Sequence, residues 1–587
     1  MKKIQGIEKE IRKLKAHLTQ LQSMSQTKSM GILLNQESMI RKKIKALKQL
    51  CKQLDEGEHQ ILYQDYLGLL NDVSKEMIEF YNEENETDYQ LEEIIEGFEQ
   101  EYIENGVLYV LMSRYLPNLM SSPNFSVFPL HPKDEYPKAR KMKRKFYLHL
   151  GETNTGKTYH AMKKLEQGSD GIYLAPLRLL ALENYEKLNQ DGIKCHLLTG
   201  EEEVLVQGVL HISCTIEKLD LEKIYDVAVI DEVQLIQDHI RGCSWTRAIL
   251  GILSPEIHIC GALNTKDLLI QLITECGDDY ECLEYYRNTP LQLQTSGYQL
   301  NQPAFGDALI AFSKKKVLEL SRYYQDRGYK TSIIYGDLPP EVRRVQYQSF
   351  SSGESQLLIS TDAIGMGVNL PIQRVVFINV KKFDGEIIRE LTSQEVKQIA
   401  GRAGRKGIYE VGYVTSLDEH MDYIKEKLTC EDEVIRQAII GPHESMLNIK
   451  GIPLIEKLMI WEQHYQDIPH YKKMDTERYL FVLSQIKRYK LSQWAQWRIM
   501  KLPINFMQSD LLNLLLVYIE EYFMNGITEL SKPRLQMDEL EMLEIHYQEV
   551  NLYYAFSKAF DLDFDMNWVY KERSKVSKKL NYLLLRL

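Results

Sequence analysis

The segment GETNTGKT at residues 151–158 limits, more than any other feature, what this chain can fold into. It follows an apolar run from Phe146 to Leu150 and precedes a stretch of helical composition that begins at Tyr159. Strand, glycine loop and helix therefore come in the order of a phosphate-binding loop, in which backbone N–H groups surround phosphate oxygens at a helix N-terminus. The pattern predicts an α/β domain that binds a nucleotide.

The residue types of this loop have separate predicted roles. Lys157 is expected to reach the terminal phosphates, and the hydroxyl of Thr158 to ligate Mg²⁺. A chance glycine-rich turn could imitate the pattern, but the flanking strand and helix argue against that alternative. The residues predicted to surround the nucleotide are Gly151, Thr153, Asn154, Thr155, Gly156, Lys157 and Thr158.

A second motif follows the apolar run from Tyr225 to Ile230, which has the composition of a fully buried strand. Asp231 and Glu232 come directly after it, at the strand end where an α/β sheet presents ligands. Asp231 is predicted to hold the metal together with Thr158, and Glu232 to orient or deprotonate the attacking water. Acidic residues at strand ends are often solvated turn caps, but the phosphate-binding loop favours the functional interpretation.

The third motif, QIAGRAGR, lies much farther along, at residues 398–405. Arg402 and Arg405 are three apart, so they are expected to share one helical face and to reach a γ-phosphate from a second domain, as an arginine finger in cis. The alternative is a solvated face. The glycines between the arginines cost helix stability without an obvious structural purpose, which favours the finger. The catalytic residues predicted from these three motifs are therefore Lys157, Glu232, Arg402 and Arg405.

With six further motifs in a fixed order, these segments resemble superfamily 2 helicases, specifically the Suv3-like RNA helicases of the DEVQ/DExH type. The resemblance is strong from Tyr136 to Leu417 and continues weakly to the C-terminus, where KLPIN at 501–505 is similar to the family's helical tail. The further motifs are APLRLLA at 175–181, TGEE at 199–202, CTIE at 214–217, RGCSWTR at 241–247, IYGDLPP at 334–340 and TDAIGMGVNLP at 361–371.

The resemblance implies an ATP- and Mg²⁺-dependent helicase that moves 3′ to 5′ on single-stranded RNA and unwinds tailed duplexes, working in RNA turnover beside an exoribonuclease. Gly365 and Gly367 are implied to lie near the nucleotide. Gln398 is implied to join the catalytic residues, linking the two domains through the nucleotide. Residues 381–393 stand where related helicases carry a strand-separating β-hairpin. The residues implied to touch the nucleic-acid backbone are Pro176, Arg178, Thr199, Gly200, Thr215, Ser313, Thr361 and Asp362.

Two positions depart from the family's pattern. Glu152 stands where a proline is usual after the first glycine of the loop, and it places an acid close to phosphate. We expect this acid to tune nucleotide affinity modestly. Ala262 stands where the family generally has an acidic residue after the glycine at 261, and this change bears on how hydrolysis is coupled to unwinding.

Short apolar strands alternate with helix-like stretches in two sets, which predicts two parallel sheets with helices on both faces. The predicted fold class is α/β: two tandem RecA-like parallel-sheet domains flanked by an N-terminal helical or coiled-coil region and a C-terminal all-helical region. The predicted boundaries are 1–57 for a basic helical hairpin or coiled coil, 58–137 for further helices and a connector, 138–290 and 291–430 for the RecA-like domains, and 431–587 for the helical tail.

The net charge of −11 hides an asymmetry. Residues 1–56 hold 13 Lys or Arg against 5 Asp or Glu, whereas residues 76–104 hold 12 acids. Apolar residues at three-four spacing in the basic part predict a folded-back helical hairpin, with an intermolecular coiled coil as the alternative. Its basic face either guides RNA or is only solvated. The basic run at 138–145 leaves a similar choice between a phosphate contact and a solvated strand entry.

Several classes of protein are disfavoured. The sequence has no run of about 18 apolar residues, so no membrane span is expected. Eight cysteines without a CxxC pair favour a reducing compartment over a zinc site or a disulfide scaffold. The first residues resemble neither a secretory signal nor an acid-poor transit peptide, so the expectation is a cytoplasmic protein, with a monomer favoured.

Two rival functions stay open at this point. One is an ATP-gated clamp or scaffold that closes on RNA without separating strands, motivated by Ala262 and by the unplaced N-terminal extension. The other is a DNA-directed translocase, since the predicted contacts go to a backbone that both polymers share and only the 2′-hydroxyl distinguishes them.

Overall fold

The computed structural model describes residues 14–15, 18, 30–51, 58–85, 88–111, 131–208, 210–287, 289–365, 370–384, 387–404, 408–449, 452–463 and 468–586. Within these ranges, two parallel sheets stand between N-terminal helices and a C-terminal helical region, which confirms the predicted α/β fold class. The core is continuous from the N-terminal helices through the first sheet into the C-terminal region.

The N-terminal region is helical. Its first two helices pack side by side, with Ile40, Ile44 and Leu47 of the first against Leu62 and Leu70 of the second in one buried cluster. The folded-back hairpin expected within residues 1–57 lies largely outside the described residues. The described helices are α1 (Met30–Cys51), α2 (Glu58–Asn85), α3 (Leu91–Ile95) and α4 (Glu99–Asn105).

The first sheet has eight strands in the order β4-β3-β5-β2-β6-β7-β1-β8, and every described pairing is parallel except that of β3 with β4. Its central strands are buried along their whole length, which explains their continuous apolar runs. The strands are β1 (Lys145–Gly151), β2 (Gly171–Ala175), β3 (Cys195–Leu198), β4 (Glu203–Val204), β5 (His211–Thr215), β6 (Val227–Ile230), β7 (Glu256–Gly261) and β8 (Asp279–Tyr285). The helices are α5 (Pro137–Arg140), α6 (Lys157–Gln167), α7 (Arg178–Gln190), α8 (Gly242–Gly251) and α9 (Lys266–Glu275).

The second sheet has six parallel strands in the order β11-β12-β10-β13-β16-β9, and a separate antiparallel hairpin, β14 with β15, lies beside it. Its strands and the hairpin are β9 (Leu291–Leu293), β10 (Asp307–Ile310), β11 (Thr331–Ile334), β12 (Leu357–Ser360), β13 (Arg374–Phe377), β14 (Lys381–Phe383), β15 (Ile388–Glu390) and β16 (Gly412–Ser416). Its helices are α10 (Lys314–Gln325), α11 (Pro340–Ser351), α12 (Ser393–Ala400) and α13 (Met421–Thr429).

The C-terminal region is mainly helical, as expected, but it also holds a short parallel strand pair that the sequence did not predict. Its last two helices pack on the second sheet: Leu543, Val576 and Leu580 share a buried cluster with Ile333 and Val342. The elements are β17 (Ala438–Ile440), β18 (Tyr471–Lys473), α14 (Leu454–Gln463), α15 (Glu477–Ile486), α16 (Gln493–Met500), α17 (Ser509–Ile519), α18 (Leu540–Ala559) and α19 (Met566–Leu584).

The basic run at 138–145 is partly structural. The guanidinium of Arg144 is buried and pairs with Asp278, and it also donates to the carbonyl oxygens of Ile249 and Ile252 at 3.1 Å each. Arg140 donates to the carbonyl oxygen of Cys276 at 3.0 Å. These two arginines satisfy backbone carbonyls near the strand entry, so they are not available to phosphate.

Candidate functional site

The GETNTGKT loop joins the end of β1 to the start of α6, and its glycines meet two steric demands. Gly156 has φ +86°, a left-handed conformation that glycine adopts without strain, and α6 begins at the next residue. At Gly151, an added Cβ would collide with the carbonyl oxygen of Tyr285 on the neighbouring strand β8. The loop therefore lies at a helix N-terminus, where backbone N–H groups and the helix dipole favour an anion.

The ammonium group of Lys157 lies inside this loop. It donates to the carbonyl oxygens of Gly151, at 2.9 Å, and of Glu152. Burial lowers its pKa, although the nearby charge of Glu232 opposes that shift. A cation held within the loop is in a position from which it can reach a phosphate bound there, and the contact with terminal phosphates stays a prediction.

Asp231 follows strand β6 and meets the loop through a hydroxyl. Thr158 Oγ1 donates to its carboxylate oxygens at 3.1 and 3.3 Å, and the hydroxyl of Tyr173 donates to Oδ2 at 2.8 Å. Burial raises the pKa of Asp231 to about 6, and the adjacent charge of Glu232 adds to the rise. A hydroxyl and a carboxylate are hard oxygen donors, so this pair fits Mg²⁺, whose charge would favour the ionised carboxylate.

Glu232 has φ +50°, an uncommon conformation for a residue with a side chain. Non-glycine residues with such dihedrals cluster at functional sites. Its carboxylate accepts a hydrogen bond from the side-chain amide of Gln234, whose own oxygen accepts the N–H of Ala262 at 3.3 Å. The predicted water-orienting carboxylate is thereby connected to the loop after β7, where Ala262 departs from the pattern of the family that the sequence resembles.

The second domain contributes Gln398 and Arg402 to the same cleft. Both donate to the carbonyl oxygen of Gly365 at 3.2 Å, and the guanidinium of Arg402 lies 3.7 Å from a carboxylate oxygen of Glu232. Arg402 is buried, which lowers its pKa despite the opposing charge of Glu232. The structure thus brings three of the predicted catalytic side chains together across a domain boundary.

The expectation that Arg402 and Arg405 share one helical face is wrong. Helix α12 ends at Ala400, and Gly401 caps it, so Arg402 lies in the turn that follows. Gly404 has φ +77°, which a helix does not accommodate. Of the other predicted residues here, Arg405 and Gly367 lie outside the described part of the chain.

Arg287, which no sequence motif marks, joins the two domains. Its guanidinium donates to the carbonyl oxygens of Gly401, at 2.7 Å, and of Ala403, and its backbone N–H donates to Glu152 Oε2 at 2.9 Å. Glu152 therefore faces the interdomain connection. No motif marks Arg287, because its partners are backbone atoms of a segment more than 100 residues away.

The phosphate-binding loop also contacts the second domain directly. Asn154 Nδ2 donates to the carbonyl oxygen of Gly401 at 3.2 Å, and an added Cβ at Gly401 would lie 2.7 Å from Thr153 Cβ. Thr155 Oγ1 instead bonds within the loop, to the carbonyl oxygen of Glu152 at 2.9 Å. Predicted nucleotide-binding residues therefore meet the glycine of the QIAGRAGR segment at one interface.

The residues implied to touch nucleic acid stand at or just after the carboxyl ends of strands in both sheets. Several already bond within their own loops: Thr199 Oγ1 accepts the N–H of Glu202 at 2.9 Å, and Ser313 Oγ caps α10 by accepting the N–H of Lys316 at 3.2 Å. The positions are Pro176 after β2, Thr199 and Gly200 after β3, Thr215 at the end of β5, Ser313 after β10, and Thr361 and Asp362 after β12. Carboxyl ends of parallel strands form one edge, so each sheet presents its set on one side.

Arg178 differs from the other implied contacts because carboxylates surround it. Its guanidinium pairs with Glu201, and with Glu202 and Glu341 at 3.1 Å each. Tyr547 Oη lies 3.3 Å from the same guanidinium and donates to Glu341 at 2.7 Å. Arg178 thus joins the first domain to the second domain and to helix α18 of the C-terminal region.

Among the described residues, one cluster of side chains has the residue types of a metal site: His131, Glu275 and His470. Its hydrogen bonds argue against a metal. The N–H of Lys133 points at Nδ1 of His131 at 3.3 Å, which leaves the ring proton on Nε2, the atom that faces Glu275 at 3.5 Å. His470 Nε2 lies 2.7 Å from the same carboxylate. The group is a hydrogen-bonded junction of three segments.

Comparison with known families finds two matches that together span both sheets. Residues 132–285 match the family described as the DEXQ-box helicase domain of Suv3. Residues 294–407 match the family described as the helicase conserved C-terminal domain.

Individual relatives extend the similarity. The chain is 39% identical over 369 residues to an ATP-dependent RNA helicase SUV3, mitochondrial, of Candida albicans, covering 61% of this chain and 49% of that protein. It is 36% identical over 416 residues to a protein of the same name from Oryza sativa subsp. japonica, covering 68% and 71%. It is 36% identical over 413 residues to the human ATP-dependent RNA helicase SUPV3L1, mitochondrial, covering 67% and 52%. The alignments thus span about half the length of the Candida and human proteins.

The expectation of a cytoplasmic protein is wrong: these relatives are all named as mitochondrial. Unpaired cysteines indicate a reducing compartment, but they do not distinguish one reducing compartment from another. In the part of the chain that the structure describes, no helix has the length and apolar character needed to span a bilayer.

Proposed function

The chain belongs to the Suv3 family of DEXQ-box helicases, and from this premise we propose that it is an ATP-dependent RNA helicase. The observation that carries the proposal is the cleft in which Lys157, Asp231 and Glu232 of one parallel-sheet domain face Gln398 and Arg402 of the other. A site completed only when two domains meet converts the state of the nucleotide into a domain movement.

Within this cleft each side chain has a proposed task. Lys157 and the N–H groups of the loop bind the phosphates of ATP, and Thr158 and Asp231 would hold Mg²⁺. That ion, when bound, neutralises charge that develops on the phosphates. Glu232 orients the attacking water and accepts its proton, and the amide of Gln234 holds the Glu232 carboxylate in place.

Two contacts within the second domain connect the nucleotide cleft with a segment proposed to bind nucleic acid. Arg402 and Gln398 share the carbonyl oxygen of Gly365, at the end of a segment that begins with Thr361 and Asp362. The latter two are proposed to contact nucleic acid. Loss of the γ-phosphate would therefore change the contacts of Arg402 and Gln398 with the segment that is proposed to bind the strand. Alternating grip by the two sheets moves the strand, and backbone contacts of this kind carry little sequence information.

The finer aspects of the proposal come from the family resemblance. They are 3′-to-5′ travel on single-stranded RNA, unwinding of tailed duplexes, and a role in RNA turnover beside an exoribonuclease. A monomer is the proposed oligomeric state, independently of the resemblance. The hairpin β14–β15 is the element proposed to separate strands.

The deciding experiment is the steady-state ATPase rate without polymer, with single-stranded RNA and with single-stranded DNA of identical sequence. We expect stimulation mainly by RNA, followed by release of the displaced strand from a 3′-tailed RNA duplex and not from a 5′-tailed one. Equal or stronger stimulation by DNA would contradict the RNA assignment. Stimulated hydrolysis without strand release would identify an ATP-gated clamp. A Glu232→Gln protein measures contaminating ATPase in each preparation.

The hairpin yields a prediction of its own. Phe383 and Ile388 are cross-strand partners near the hairpin's end, and both are exposed, Phe383 to 61%. An exposed aromatic ring here is placed to stack on a base at the fork, and such stacking is worth roughly 1–3 kcal/mol. We expect Phe383→Ala to slow duplex unwinding about ten-fold while RNA-stimulated ATPase stays within about two-fold.

A matched control for this substitution is Phe305→Ala in the same domain, since Phe305 is 57% exposed and lies before β10. Unwinding by the Phe305→Ala protein should match that of the unmodified protein. If Phe383→Ala and Phe305→Ala unwind duplex at equal rates, the hairpin does not act as a wedge.

A further inference from the structure

Helix α1 lines a large cavity that residues of both sheet domains and of the C-terminal region also line. The cavity, of about 1650 Å³, also touches the segment after Glu232, the hairpin β14–β15, and the start of α15 in the C-terminal region. Gly365 and Gln398, which meet Arg402 in the nucleotide cleft, belong to its wall as well. Whatever occupies this cavity therefore contacts the N-terminal region and the ATP site at once.

The helix is fixed in this position by buried polar contacts. Arg41 pairs with Glu477 at 2.8 Å and donates to the carbonyl oxygen of Glu104 at 2.7 Å, while Ser38 Oγ donates to Glu477 Oε2 at 2.5 Å. Glu37 accepts the N–H of Val107 at 2.7 Å. Breaking buried polar contacts of this kind costs free energy, because it leaves charged and polar groups without partners. Helix α1 is therefore a firmly attached part of the cavity lining and not a loosely attached surface helix.

The charges on this wall fall into two groups. Several cations that line the cavity have carboxylate partners: Arg41 with Glu477, Lys382 with Asp362, and Arg389 with Glu395. Others, among them Lys43 and Lys45 of α1 and Arg478 of α15, also line it but have no ion-pair partner within the described ranges. Burial lowers the pKa of Arg478, because desolvation disfavours the charged guanidinium and no carboxylate pairs with it to offset this effect.

Exposed apolar side chains accompany these free cations. Ile240, Phe383 and Met507 line the same cavity, and each is more than 40% exposed. Cations beside accessible apolar and aromatic groups suit a single nucleic-acid strand, whose phosphates need positive charge and whose unpaired bases need surfaces to stack on.

We propose that α1 is a nucleic-acid-binding element, in which Lys43 and Lys45, together with Arg478, contact the phosphates of a single strand that occupies the cavity. This proposal rests on the proposed helicase function and adds the N-terminal helix to its binding surface. The basic character of the N-terminal region is then explained, because α1 supplies positive charge at the cavity of a chain whose net charge is −11.

Helix α1 offers a matched pair of substitutions for the test. Lys45→Gln and Lys48→Gln remove the same charge from one helix, but Lys45 lines the cavity whereas Lys48 is exposed to solvent and does not. The measurement is equilibrium binding of the full-length proteins to a fluorescent single-stranded RNA, and to DNA of the same sequence, as a function of salt concentration. Thermal melting shows that each variant is folded. Lys45→Arg, which keeps the positive charge that Lys45→Gln removes, tests whether that charge alone is enough for binding.

We expect Lys45→Gln to reduce the slope of log K against log salt by about 0.7, the value for one phosphate contact on a single strand, and to weaken binding several-fold at low salt. Lys43→Gln and Arg478→Gln should behave alike, Lys48→Gln should match the unmodified protein, and RNA and DNA should respond equally. Equal effects of Lys45→Gln and Lys48→Gln would overturn the proposal while leaving the helicase function intact. If the unmodified protein binds neither polymer, the helicase function itself fails.

Discussion

Replacing Glu232 with glutamine is expected to slow ATP turnover by about 10³-fold while ATP binding stays within a few-fold, since general acid–base catalysis contributes 10²–10⁴. The amide is nearly isosteric, so the φ of +50° and the contact with Gln234 can persist. What is lost is the carboxylate that accepts the proton of the attacking water. The loss corresponds to about 4 kcal/mol of transition-state stabilisation.

The measurement combines single-turnover hydrolysis with equilibrium binding of ATP, both in the presence of saturating RNA. Glu222→Gln serves as the control, because Glu222 is an exposed carboxylate of the same domain that pairs with Lys138 at the surface. Turnover by Glu222→Gln should equal that of the unmodified protein. If Glu232→Gln instead loses ATP binding, Glu232 is a ligand of the nucleotide or its metal and not the proton acceptor.

Much of the fold could be predicted from sequence because buried parallel strands are continuous apolar runs. Strands β2, β6 and β12 are buried along their whole length, and strands of this kind are the short apolar runs from which the two sheets were predicted. Strands β8 and β9 were not predicted. Both lie at the edge of a sheet and are partly exposed, with charged or polar residues in place of an apolar run.

The candidate site divides in a similar way. Lys157, Thr158 and Asp231 could be identified because a phosphate-binding loop and a strand-end carboxylate are local patterns in the sequence. Tyr173 and Arg287 could not, because their roles depend on contacts across the fold, with Asp231 in the first case and with the backbone at Gly401 in the second. The same applies to the carboxylates around Arg178, which come from two separate segments, one in each domain.

Replacing Arg402 with alanine is expected to lower the ATP turnover number by about 10³-fold or more, as removal of an arginine finger does in other phosphoryl-transfer enzymes. Its guanidinium donates two hydrogen bonds to the carbonyl oxygen of Gly365 and lies 3.7 Å from Glu232, so it carries a buried positive charge into the cleft from the second domain. ATP binding should change only a few-fold, because the loop around Lys157 lies entirely in the first domain.

Arg402 could act as an arginine finger or could only hold the two domains together. Comparison with the neighbouring Arg287, which also contacts this segment, distinguishes these two roles. Arg287 holds the same segment through the carbonyl oxygens of Gly401 and Ala403, but Glu152 and not Glu232 is the acid that faces it. Arg287→Ala should therefore loosen the segment without removing charge from the cleft, and we expect turnover to fall about ten-fold or less. Arg402→Lys keeps a charge but loses the planar fork, so it should restore little activity. If Arg287→Ala and Arg402→Ala lower turnover equally, Arg402 acts by holding the interface and not by stabilising the transferring phosphoryl group.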